Sequence, residues 1–175
     1  MLHNMTHDLS APDAVLQQRT PGAQVQAAVT EVLRWASRGD VRRMLLGRAG
    51  RDLSVNDVTL LRAIAVGGPV RASDLADSQG VDKSTITPQI RRLEHRGLVA
   101  RRADPADGRA VLVSATPRGR RVKQQLDEAG AAVFDDILRN WPNEDRRALA
   151  ILIQRFAQQL AYGSQTPTSR PHPED

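Results

Sequence analysis

Between residues 82 and 137 the spacing of the apolar residues changes twice. Ile86, Ile90 and Leu93 recur at helical intervals, and Gly97 then breaks the pattern. "LVARR" (98–102) and "AVLVSA" (110–115) read as two short strands. After Thr116 and Pro117 the helical spacing resumes through Val122, Leu126, Ala129, Val133 and Ile137 to Trp141. A helix, a stop, a short hairpin and a long helix must therefore follow one another directly, and few architectures accept that order.

Local signals sharpen each piece. Asp82 is placed to cap the first of these helices, and Gly97 supplies the left-handed residue that ends it. At 100° per residue the stripe of Ile86, Ile90 and Leu93 leaves Ser84, Thr85, Thr87, Pro88, Arg91, Arg92 and His95 on the outer half. That face is small and polar near its start and cationic toward its end. Pro88 removes one helical donor, which predicts a loosened first turn or one tightened toward a 3₁₀ form. "ADPADGR" (103–109) is a loop of turn formers, and Thr116 before Pro117 is a cap followed by a first-turn proline.

Upstream, Val25, Val29, Val32, Leu33 and Ala36 keep helical spacing that continues through Val41, Met44 and Leu45 across Gly39, a residue that marks a bend or a break. Ser54 is a candidate cap for a short helix carrying Val55, Val58, Leu61 and Ala65, which stops at "GGP" (67–69). Ser73 is a candidate cap for a brief helix with Leu75 and Ala76, and "SQG" turns the chain after it. Downstream, Pro142 and Asn143 break the long helix. A last helix then points Leu149, Leu152, Ile153, Phe156 and Leu160 inward.

Only 3% of residues are aromatic, so aliphatic side chains carry the apolar mass, which suits packed helices better than a sandwich. The formal charge is +5. Between Arg71 and Lys123 there are twelve Arg or Lys against six acids, so the excess sits in one internal segment and favours a polyanionic partner. The absence of cysteine excludes disulfides, thiol catalysis, thiolate metal sites and thiol redox sensing. With one histidine, His95, outside the two ends of the chain, neither a metal site nor an acid–base pair has much to be built from. The adjacent acids Asp135 and Asp136, like Glu144 and Asp145, point apart on a helix and read as solvated faces. No metal, cofactor or catalytic residue is expected, and the chain is not read as an enzyme. No apolar run approaches a membrane span, so a cytoplasmic chain without a membrane partner is expected.

Two short helices joined by a tight turn, the second with a small-polar then basic outer face, followed by a basic hairpin, make a winged helix-turn-helix. The fold class is mainly α with a small antiparallel β wing. A helix of this kind fits the major groove of double-stranded DNA. There Ser and Thr reach base edges, Pro88 or a Thr methyl meets thymine methyls, and Arg grips phosphate or guanine. Lys83, Arg91, Arg92, Arg101 and Arg102 are expected at phosphates, and Arg109 at the hairpin tip suits the narrower minor groove.

The stretch "VDKSTITPQIRRLEHRGLVARRADPADGRAVLVSATPRG" resembles the MarR (multiple antibiotic resistance regulator) family, and the likeness covers roughly residues 23–160. In that family "RRLEHRGLV" ends the recognition helix, "DPADGR" is the wing, and "TPRG" begins the long dimerisation helix. The resemblance implies a homodimer whose N- and C-terminal helices form a dimerisation domain. Carried over by position, Lys83, Ser84, Thr85, Thr87, Pro88, Arg91 and Arg92 fall in the recognition helix. Asp107 and Arg109, with Arg101 and Arg102, fall in the wing, and Asp107 holds the Arg109 guanidinium. Val25, Val29, Val32, Leu33, Phe134, Ile137, Leu138, Trp141, Leu152 and Phe156 fall in the dimer interface. The proline in the recognition helix is similar to the peroxide-sensing branch, but the lack of cysteine excludes that route.

The expected organisation is a flexible tail at 1–20, an N-terminal dimerisation region at 21–50 and a DNA-binding domain at 54–115. C-terminal dimerisation helices follow at 116–162 and a flexible tail at 163–175. The resemblance further implies a ligand-responsive repressor of a pseudo-palindromic operator, its effector a small aromatic or phenolic ligand that no residue identifies. A winged-helix protein-interaction module and a non-specific architectural DNA-binding protein are the rival readings, and binding to a short inverted repeat separates them from a regulator.

Overall fold

The computed structural model describes residues 20–163. Apart from Thr20 and Gly163, the two expected tails lie outside that range. Helix α1 (Pro21–Ala36) starts at Thr20, whose hydroxyl accepts the Ala23 amide at 3.3 Å, and a first-turn proline follows. The chain then breaks at Ser37 and Arg38, and Gly39 opens a separate α2 (Gly39–Leu46).

Helix α3 (Val55–Gly67) begins with a reciprocal cap. The Ser54 hydroxyl accepts the Asp57 amide at 3.0 Å, and the Asp57 carboxylate accepts the Ser54 amide at 3.1 Å. Strand β1 (Val70–Arg71) leads directly into α4 (Ala72–Ser78). Ser73 is therefore not the cap. Arg71, held extended by strand pairing, stands at that position without a side-chain cap bond, and Ser73 falls inside the first turn.

Helix α5 (Lys83–His95) follows, with Asp82 extended at its start but making no side-chain cap bond. It ends as expected. Gly97 takes φ 66°, its amide bonds the Glu94 carbonyl at 2.8 Å, and the Leu98 amide reaches back to the Leu93 carbonyl at 2.9 Å. The hairpin strands are longer than predicted. β2 (Val99–Asp104) and β3 (Asp107–Ala115) are joined by only Pro105 and Ala106, so Asp107 and Arg109 belong to a strand and not to a loop. The reason is local: Asp104 accepts the Ala106 amide at 2.9 Å, closing the turn early, and a register shift at Ala103 and Asp104 absorbs the extra residue. The sheet order is β1-β3-β2, all antiparallel.

Thr116 then caps α6 (Pro117–Ile137), accepting the Gly119 amide at 3.0 Å while donating to the Gly97 carbonyl at 2.7 Å. The helix stops at Ile137, short of the predicted Trp141. Leu138 to Asn140 form a turn before α7 (Asn143–Gly163).

The core gathers Leu60, Leu61 and Ile64 of α3, Leu75 of α4, Ile86, Ile90 and Leu93 of α5, Val113 of β3 and Leu126 of α6. Leu126 shows that the first half of the long helix packs with the winged helix. The chain accordingly divides into two compact units at Gly130, within α6. Gly119 permits the closest approach: a Cβ there would stand 1.9 Å from the Leu98 carbonyl oxygen. In the second unit the predicted inward residues Leu152, Ile153, Phe156 and Leu160 are all exposed, and Leu149 is half-buried.

Candidate nucleic-acid interface

Helix α5 buries Ile86, Ile90 and Leu93 and turns Lys83, Ser84, Thr85, Pro88 and Arg91 to solvent. The Lys83 ammonium and the Arg91 guanidinium make no hydrogen bond or ion pair with any described residue. Pro88 does not break the helix. Its first turn is tightened by a bond from the Thr85 amide to the Asp82 carbonyl at 2.9 Å. Thr87, half-buried, donates its hydroxyl to the Lys83 carbonyl at 2.7 Å, which leaves its methyl and an acceptor lone pair for other contacts.

Two of the expected phosphate-binding arginines are engaged within the protein. Arg92 donates from Nη2 to Asp57 Oδ1 at 3.0 Å, bracing α5 against the start of α3. The Asp57 side chain is 6% exposed and that of Arg92 50%, so the carboxylate is the fixed end of the brace. Burial pushes the Asp57 carboxyl up, but the Ser54 bonds and Arg92 outweigh it and hold it below the ordinary 3.8. Arg101 on β2 bonds Glu94 of α5 through Nε at 2.8 Å and Nη2 at 2.7 Å, tying the wing base to the helix. Arg102 is exposed and makes no ion pair with a described residue.

Sequence reasoning missed the clamp of the wing. Arg71 of β1 donates from Nε and Nη2 to Asp104 Oδ2 at 2.9 and 2.6 Å, and its Nη1 lies 3.9 Å from Asp107. The Ala106 amide and the Arg71 guanidinium together hold the Asp104 carboxyl below its ordinary range. The only signal in the sequence was an arginine two residues after "GGP", which counted merely as positive charge. Arg109 lies in β3, and its side chain is outside the described part of the structure.

Between α5, β1 and the hairpin lies a crevice of about 170 Å³ lined by Arg71, Ser73, Lys83, Thr87 and Arg101 among others. Cationic forks, a lysine and two hydroxyls facing one slot suit an anionic oxygen. No group of three or more His, Cys, Asp or Glu side chains stands ready for a metal ion among the described residues, and no described helix is long and apolar enough to cross a membrane.

A helix pair at a tight turn, the second helix outward-facing and flanked by a three-stranded sheet with a projecting hairpin, defines a winged helix-turn-helix protein. Residues 53–111, which hold all of these parts but the end of β3, match the profile of the MarR family. YxaD of Bacillus subtilis, named as an uncharacterized HTH-type transcriptional regulator, is 27% identical over 141 residues, spanning 81% of this chain and 96% of YxaD. The crystal structure of MarR aligns with a TM-score of 0.63 at 24% identity, over 79% of this chain and 98% of that one. Streptococcus pneumoniae FabT, solved in complex with DNA, aligns with a TM-score of 0.64 at 19% identity, over 79% and 96%. The fold and the relatives are those of transcriptional regulators, which are not enzymes.

Proposed function

We propose that two copies of this chain bind double-stranded DNA together, each laying α5 in a major groove and its wing along the neighbouring minor groove. The observation that carries this reading is the outward row of Lys83, Ser84, Thr85, Pro88 and Arg91 on a helix whose other side is locked into the core. Ser84, Thr85 and the Thr87 methyl meet base edges, Pro88 meets a thymine methyl, and Lys83, Arg91 and Arg102 take phosphates. Arg109 reaches the minor groove. Arg92 and Arg101 serve first as braces, which fixes the angle at which the helix is presented.

A homodimer is supported by the exposed apolar side chains of α1 and α7, and it sets two half-sites about one helical turn apart. The repressor sense, and a small aromatic or phenolic acid as effector, rest on the likeness to the family. The test is selection of bound duplexes from a random pool, followed by titration of the recovered site. A short inverted repeat is expected, with log K falling against log salt at a slope near about −9 if roughly ten phosphates are neutralised. Recovery of no preferred sequence would point to an architectural protein, and no binding above background to a protein-interaction module.

A further inference from the structure

The winged-helix unit contains a second cationic concavity that DNA reading leaves unused. Helix α2 and the turn after it enclose a cleft of about 480 Å³, with Leu46 and Leu53 in its lining and Arg42, Arg43, Arg48 and Arg51 around it. None of these four guanidiniums hydrogen-bonds or ion-pairs with a described residue. Elsewhere in the unit several arginines find carboxylates: Arg62 meets Asp127, Arg71 meets Asp104, Arg92 meets Asp57 and Arg101 meets Glu94. Here the adjacent acids do not serve. Asp40 is taken by Arg38 at 2.9 Å, and Asp52 is exposed and makes no ion pair with a described residue.

Four uncancelled charges of one sign around a concave wall raise the local potential and draw in anions. The guanidinium fork matches the paired oxygens of phosphate, and four forks exceed what a single carboxylate can satisfy. The apolar lining asks for more than charge: a bare inorganic anion leaves Leu46 and Leu53 unused, and the cleft volume is that of a small-molecule site. A DNA strand, by contrast, presents phosphates along a ridge with no apolar body to fill the floor.

We propose that this cleft binds a multiply charged organic phosphate, with its phosphates among Arg42, Arg43, Arg48 and Arg51 and an apolar or aromatic body against Leu46 and Leu53. The site is separate from the face assigned to DNA and does not depend on that assignment.

Calorimetric titration of the full chain at near-physiological salt, without divalent cations, tests it with three probes: adenosine triphosphate, inorganic tripolyphosphate and salicylate. Adenosine triphosphate should saturate at one per chain, tripolyphosphate should bind more weakly for want of an apolar body, and any heat from singly charged salicylate, a phenolic acid of the class proposed as effector, should be the same in the native chain and in the Arg48 and Arg51 variants. Arg48→Gln with Arg51→Gln should weaken adenosine triphosphate by at least about tenfold, whereas Lys replacements at the same positions should retain most of the binding. Thermal unfolding should be unchanged in both variants, since the side chains are exposed. Lys83→Ala with Arg91→Ala should leave binding within about twofold. The proposal is overturned if no phosphate probe binds, if the Gln pair binds like the native chain, or if the Lys83 and Arg91 variant loses binding equally. It also falls if the Gln pair weakens DNA binding while neither phosphate probe binds, because the cleft is then a nucleic-acid contact.

Discussion

Leu61 in α3 and Leu152 in α7 are the same residue type on helices of similar apolar spacing, yet Leu61 is fully shielded and Leu152 is 58% exposed. Around Leu61 the stripes of α3, α4, α5 and the front of α6 face one another across the small sheet, so the winged helix closes its own core. Around Leu152 the side chains of Ile153, Phe156 and Leu160 stand equally open, as do Val25, Val29, Val32 and Leu33 of α1. Each such residue would gain about 1.5–3 kcal/mol on burial, and a run of them left bare is the mark of an association surface. One region closes its core within a single chain, and the other helices leave their apolar faces open.

That contrast can be broken in order of expected effect. Leu152→Glu combined with Phe156→Glu should raise the dimer dissociation constant by roughly 100-fold or more, read by sedimentation across a concentration series, while the winged helix keeps its near-native circular dichroism. Self-association unaffected by this pair would move the interface elsewhere. Leu61→Ala should cost about 2–5 kcal/mol in denaturant unfolding, by an amount that does not vary with protein concentration, since no second copy enters that core.

Asp57→Ala should cost about 1–2 kcal/mol through the lost cap of α3 and should also lower DNA affinity, because Arg92 loses its anchor. Arg92→Ala sharpens the point in gel-shift titrations. As a brace it should flatten discrimination between sites, whereas a loss equal across all duplexes, with one unit taken off the salt slope, would make it a direct phosphate contact.

The smallest effect is on acid tolerance. Asp57 is held below 3.8 by Ser54 and Arg92 against its burial. Asp104 is held low by the Ala106 amide and Arg71, and Asp127 by Lys123 and Arg62 against its burial. A depressed carboxyl stabilises the fold above its unfolded value and loses that contribution as pH falls through the folded one. Unfolding monitored by tryptophan fluorescence should therefore steepen below about pH 3.8, and Asp57→Asn should remove part of the slope.

The features legible from sequence were those written in a few adjacent residues. Ser54, Gly97 and Thr116 each act on amides or carbonyls within the next turn, and each stands where its spacing placed it. What escaped depends on distance along the chain. β1 is two residues long and is a strand only because Val70 and Arg71 meet Val113 and Leu112. The Arg71 to Asp104 clamp joins residues 33 apart and the Arg92 to Asp57 brace residues 35 apart, beyond any periodic signal. Arg92 lies on the flank of its helix, where angular position alone cannot separate a side chain reaching outward from one folded back on a neighbour.

The contact between Gly119 and Leu98 carries a mechanical consequence. Because backbone lies directly on backbone there, pinned by Thr116 on either side, no compliant side chain separates the root of the long helix from the root of the finger. A tilt of that rod's root is therefore expected to carry the hairpin with it, with little give between them.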